Sequence, residues 1–269
     1  MTNQSIIDTI DPEIVQTLVS RRDAIKRGAS ISALAAAGLA LGTVPLALGA
    51  LAQEAGAQGT TADIIGVLNF ALTLEYLESE FYNRGNASTG LIPLADQAVF
   101  AQIAKHENAH VTTLRATIST LGGTPVAKPT TFDFTAKGAF PNPFLPTNYA
   151  TFQAIAQAFE DTGVRAYKGQ AGNLQSNPTV LTAALRIHSV EARHAAEVRR
   201  LRGKKGWITQ NQTDIPGTNA SYAGEENVVQ GGATVTAVGS VTSLDAATEA
   251  FDEPLTKDQV LAIVTPFIT

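Results

Sequence analysis

No cysteine occurs in the 269 residues. Disulfides, thiolate nucleophiles, iron–sulfur clusters and sulfur-ligated zinc are thereby excluded, and any metal site has to be built from oxygen and imidazole. Methionine occurs only as Met1, which removes a haem held between two methionines. Positive charge is also short: 19 Lys and Arg stand against 24 Asp and Glu, for a net charge of -5. Nucleic acid is therefore not an expected partner, and an anionic membrane surface is equally unattractive. Histidine is limited to His106, His110, His188 and His194. Apolar residues are plentiful, at 44%, enough for a sizeable core.

Residues 1–52 read as an address. Ser20-Arg21-Arg22-Asp23-Ala24-Ile25-Lys26 resembles the twin-arginine export motif, and an uncharged run from Gly28 to Ala52 follows, ending in Ala50-Leu51-Ala52, an A-x-A cleavage pattern. The expectation is a periplasmic or secreted protein that meets the twin-arginine translocon during export. An uncleaved membrane anchor is the alternative, because the run is long enough to span a bilayer.

The remainder reads as all-α, with a bundle over residues 53–205 and an extension over 206–269 that packs on it. A first helix is expected from Thr61 to Arg84, capped by Thr60 or Thr61, with Ile64, Leu68, Ala71 and Leu72 on its apolar stripe. A second runs from Pro93 to Leu121, stopped by Gly122-Gly123 and Pro125. Residues 122–147 hold five prolines and cannot be helical throughout, which suits a long crossover between helices 2 and 3. A third helix is expected from Asn148 to Asn173 with Thr147 as its cap, and a fourth from Pro178 to Arg202 behind Asn177. In the extension, 233–238 reads as a weak strand, and short helices are expected at 243–251 and 256–267.

Two Glu-x-x-His pairs organise the chain: Glu107 with His110, and Glu191 with His194. Three residues are just under one helical turn, so each carboxylate and imidazole share a face. The first and third helices add Glu75 and Glu160, completing two Glu helices and two Glu-x-x-His helices, the donor set of a carboxylate-bridged dinuclear metal centre. The spacing repeats: Glu75 to Glu107 is 32 positions and Glu160 to Glu191 is 31, while Tyr82 and Tyr167 each follow their glutamate by seven. The tyrosines are candidates to hydrogen-bond the ligands from behind. Two divalent ions with four Glu and two His favour iron or manganese over zinc. Glu78 competes with Glu75 for the first position. His188, one turn before Glu191, is either a further ligand or a supporting partner, and His106 reads as a helix-surface residue.

The pattern resembles the ferritin-like superfamily, which includes bacterioferritins, rubrerythrins and manganese catalases. Leu68-Asn69 ahead of Glu75, and Glu107-x-x-His110 followed by Leu121-Gly-Gly-Thr-Pro125, resemble the bacterioferritin and rubrerythrin half-bundle. Residues 68–82 and Asp252-Glu-Pro-Leu-Thr256 look like exported ferritin-like proteins akin to plant desiccation-related proteins. The resemblance implies that Glu75, Glu107, His110, Glu160, Glu191 and His194 are the ligands. It does not imply one reaction, since the fold hosts storage, oxidation and peroxide removal; the expectation is an oxidase or peroxide-consuming activity on dioxygen or peroxide, with a non-catalytic bundle for metal binding or desiccation protection as the alternative. A homodimer is the default assembly.

Overall fold

The computed structural model describes residues 59–237 and 243–268. Residues 1–52, expected to be the export signal, lie outside the described residues. Among those described, no helix is long and apolar enough to cross a membrane.

Four long helices carry the architecture: α1 (Thr61–Ala87), α2 (Leu94–Thr120), α3 (Tyr149–Ala171) and α4 (Pro178–Leu201). Their starts follow local chemistry. Thr60 caps α1 in a capping box with Asp63, and Asn177 caps α4 with Pro178 in the first turn. The expected cap of α3 is corrected: Asn148, not Thr147, occupies the cap position, and it makes no side-chain cap bond. Its side chain donates instead to the Asn142 carbonyl in the preceding loop.

The α1–α2 and α3–α4 pairs are hairpins, and the crossover between them is strapped along the outside of α1. Asn69 donates to the Thr124 carbonyl and accepts from the Val126 N–H. Tyr76 donates to the Val126 carbonyl, Lys128 reaches Glu80 at 2.5 Å, and Phe134 packs on Phe81. The chain thus travels from the start of α1 to its end, where α3 begins. As a result α3 runs antiparallel to α1, which brings Tyr82 to Glu160 and Tyr167 to Glu75.

The segment after α4 forms short helices α5 (Asn219–Tyr222), α6 (Leu244–Thr248) and α7 (Lys257–Val264). The expected strand shrinks to Ala233–Thr234, followed by a 3-10 turn at Val235–Ala237. This segment covers the outer side of α3, so that α3 is buried almost all round from Phe152 to Tyr167. A polar stripe there, Gln153, Gln157, Asp161 and Arg165, is spaced like a solvent face yet buried. Its C-terminal part is satisfied largely by the extension: the Arg165 guanidinium donates to the carbonyls of Ser221, Ala223 and Glu253 and lies 2.7 Å from Glu225. Asp161 accepts from Arg199 and from the Tyr222 hydroxyl. These bonds are what make burial of two arginines tolerable.

Candidate metal centre

Each long helix delivers its charged residues to the middle of the bundle because they interrupt its apolar stripe in phase. Glu75 follows Leu68, Ala71 and Leu72 on α1; Glu107 and His110 lie between Ile103 and Leu114 on α2. Glu75, Glu107, Glu160 and Glu191 are each 0% exposed, so water does not reach their carboxylates. Burial of this kind is very costly for anions without compensation.

The compensation is shared between two imidazoles. His110 Nδ1 lies 3.3 Å from Glu75, 3.1 Å from Glu107 and 3.0 Å from Glu191. His194 Nδ1 lies 2.8 Å from Glu107 and 3.3 Å from Glu160. One nitrogen cannot hydrogen-bond three carboxylates, and His110 is aligned for a hydrogen bond only with Glu107. Six atoms of this cluster are buried with no hydrogen-bond partner among the described residues: Glu75 Oε2, Glu107 Oε1, Glu160 Oε2, both oxygens of Glu191, and His194 Nδ1. The close approach of His194 Nδ1 to Glu107 Oε1 thus lacks the alignment of a hydrogen bond. These atoms converge on shared points in place of pairing with one another.

The convergence has two centres. Glu75, Glu107, His110 and Glu191 offer atoms within 4.8 Å of one another, and so do Glu107, Glu160, Glu191 and His194. Glu107 and Glu191 belong to both groups, as bridging carboxylates would; Glu75 and Glu160 each belong to one. The tyrosines complete the symmetry. Tyr167 donates to Glu75 Oε1 and Tyr82 to Glu160 Oε1, both at 2.5 Å. Each phenol occupies the outer oxygen of its partner and leaves Oε2 facing the centre.

Electrostatics follow from burial and this pairing. Burial raises the Glu75 carboxyl to about 8, against the pull of His110, and raises Glu160 and Glu191 as well. At Glu107 burial is outweighed by His110 and His194, which hold it at about 2. His194 is raised to about 11 because Glu160 and Glu107 overcome its own burial. Without a cation the cluster keeps protons on both imidazoles and some carboxyls, as four converging anions require. An oxygen-rich donor set with two nitrogens and unpaired lone pairs aimed inward fits a pair of divalent ions.

Three residues stand differently from their sequence readings. Glu78, the rival of Glu75, is in neither four-residue group, yet it is buried and pushed well above the usual range by burial and by Glu191. Room for it comes from Gly163, its counterpart three residues after Glu160. A Cβ at 163 would sit 3.1 Å from Glu78 Oε1 and 3.4 Å from Glu191 Oε2. His188 is corrected: it joins neither group, its Nε2 is buried without a partner among the described residues, and the charges acting on it are Lys168 and Asp252. One turn before Glu191 is not quite in phase with it, and His188 turns toward the extension. His106 is also corrected, from surface residue to neighbour of the centre. Its Nδ1 lies 2.8 Å from His194 Nε2, with the two ring planes 12° apart and their centroids 5.1 Å apart. The only hint in the sequence was its position beside Glu107, which turns it toward α4.

An antiparallel four-helix bundle with two glutamates common to both groups, and one further glutamate and one histidine in each, is of the class compatible with a carboxylate-held metal pair. The model of the ferritin-like domain family matches residues 63–204, and the chain belongs to that family. That range covers all four long helices except the first two residues of α1, and every residue of the cluster. No curated protein matches the chain.

Proposed function

We propose that the protein is an exported redox protein that holds two iron or manganese ions on Glu75, Glu107, His110, Glu160, Glu191 and His194, and that it consumes peroxide or oxidises iron(II). The observation that carries this reading is the convergence of six unpaired buried atoms, all from those residues, on two overlapping points. When bound, such ions supply reversible exchange between divalent and trivalent states.

The chain's own residues have separable tasks. Tyr82 and Tyr167 fix the rotation of Glu160 and Glu75, so each terminal carboxylate offers one oxygen inward. Burial of the four glutamates keeps bulk water out and strengthens their hold on cations. Export rests on the twin-arginine motif; finding the precursor in the cytoplasm with no exported form would contradict it.

The activity is tested with purified protein loaded with iron(II) or manganese(II). It is expected to consume peroxide faster than a Glu107→Ala/Glu191→Ala variant; equal rates remove the reading. Two bound ions without turnover, with a large drop in melting temperature on chelation, would assign the centre to metal holding or stress protection.

A further inference from the structure

The two halves of the centre repeat each other in ligands and tyrosines but not behind the histidines. On the α2 side the residue before Glu107 is His106; on the α4 side the residue before Glu191 is Val190. The structure converts this difference into a contact. His194 presents Nδ1 to Glu107 and Glu160, and its other nitrogen, Nε2, meets His106 Nδ1 at 2.8 Å. His106 Nε2 in turn lies 2.6 Å from the exposed Gln102 side-chain amide at Nε2, a position that the amide oxygen takes when the group is turned over. No hydrogen bond is made to His110 Nε2 among the described residues, and Val190 has no polar atom to offer one.

An imidazole that binds a cation through Nδ1 has to carry its proton on Nε2. A protein acceptor for that proton fixes the tautomer and the ring plane before the ion arrives. We propose that His106 is the positioning residue for His194: it accepts the Nε2–H of His194 on Nδ1 and donates its own Nε2–H to the Gln102 amide oxygen. The two metal positions are therefore unequal. The ion on His194 and Glu160 is held by a pre-aligned ring and fills first; the ion on His110 and Glu75 fills second. This inference rests on the metal-centre reading above, and Gln102 has to present its oxygen, not its nitrogen, to His106.

Titration of the full chain with cobalt(II) is expected to show two steps for the wild type. In His106→Ala the tighter step weakens by about 10- to 100-fold while the weaker step holds, and His106→Gln, which keeps an acceptor, recovers part of the loss. In the cobalt-loaded wild type, one of the two ligand N–H protons exchanges slowly with water, and that slow proton becomes fast in His106→Ala. Unchanged steps and unchanged exchange in His106→Ala overturn the proposal while leaving the metal centre standing. If the wild type takes up no cobalt, the metal reading itself fails, and the nitrogen-15 shifts of the His194 ring in the metal-free protein still decide about His106. Identical His194 shifts with and without the His106 ring would overturn the pairing; a change confined to His194, with the melting temperature kept, supports it.

Discussion

At the scale of single residues, the centre behaves as a set of proton holders whenever cations are absent, and this fixes the sign of its pH dependence. Glu75 titrates near 8 when folded against an ordinary 4.5, so the folded chain holds a proton that the unfolded chain has released. Its contribution is present below 4.5 and lost as the pH climbs toward 8. His194, raised from 6.5 to about 11, contributes stability that is full below 6.5 and lost as the pH climbs through 11. Glu107, held at about 2, loses its contribution only as the pH falls from 4.5 through 2. The metal-free protein is thus expected to melt at progressively lower temperature between about pH 5 and pH 9; thermal melts in a chelator check this, and a flat profile would contradict it. Tyr82→Phe removes the donor to Glu160 Oε1 and leaves a buried oxygen unpaired, with an expected cost of about 1–3 kcal/mol by denaturant unfolding of the metal-free form. The clustering of Glu75, Glu107, His110, Glu160, Glu191 and His194 was legible in the sequence because side chains that converge from helices recur at helical spacing. His106 was not, because a contact between α2 and α4 leaves no period in either helix. His188 misled because one turn of sequence is not an exact return to the same face.

At the scale of elements, the four long helices were readable from caps, glycine stops and apolar stripes, and the proline-rich stretch announced the crossover. What periodicity hid was the outer face of α3. Gln153, Gln157, Asp161 and Arg165 repeat every four residues, as a solvated face does, and nothing local tells a polar stripe that meets water from one that meets carbonyls. The docking is also steric. A Cβ at Gly169 would come within 2.0 Å of the Leu255 carbonyl oxygen, a backbone atom that cannot step aside, and Leu255 N–H donates to the Arg165 carbonyl close by. Gly169→Ala is expected to lift this stretch from α3, costing about 1–3 kcal/mol and opening residues 253–257 to protease while the four long helices keep their circular dichroism. Limited proteolysis followed by mass analysis reads the outcome; resistance equal to wild type would show that the contact is not what holds the segment down.

At the scale of the whole molecule, protons and cations compete for the same interior atoms, so the loaded and empty forms are expected to respond to pH in opposite senses. Carboxylates and imidazoles have to give up protons to bind a cation, which makes binding tighter as pH rises. Free metal at about a hundred times its dissociation constant adds about 2.7 kcal/mol to stability. Melting temperature in manganese(II) should accordingly rise from about pH 5.5 to pH 7.5 while that of the chelated protein falls; parallel trends would mean that the ions bind elsewhere.

The bridge between Phe132 and Ile268, with Asp133 N–H bonded to the Phe267 carbonyl, joins stretches of sequence more than a hundred positions apart. During synthesis the crossover leaves the ribosome long before its cover does, so the aromatic surface of Phe132, Phe134 and Phe159 stays open to solvent and to other chains throughout that interval. The first helical hairpin can assemble early on local contacts, but the seal over the crossover waits for residues 257–268. Chaperone dependence and aggregation of nascent chains should therefore concentrate in the period after α3 has emerged and before α7 has.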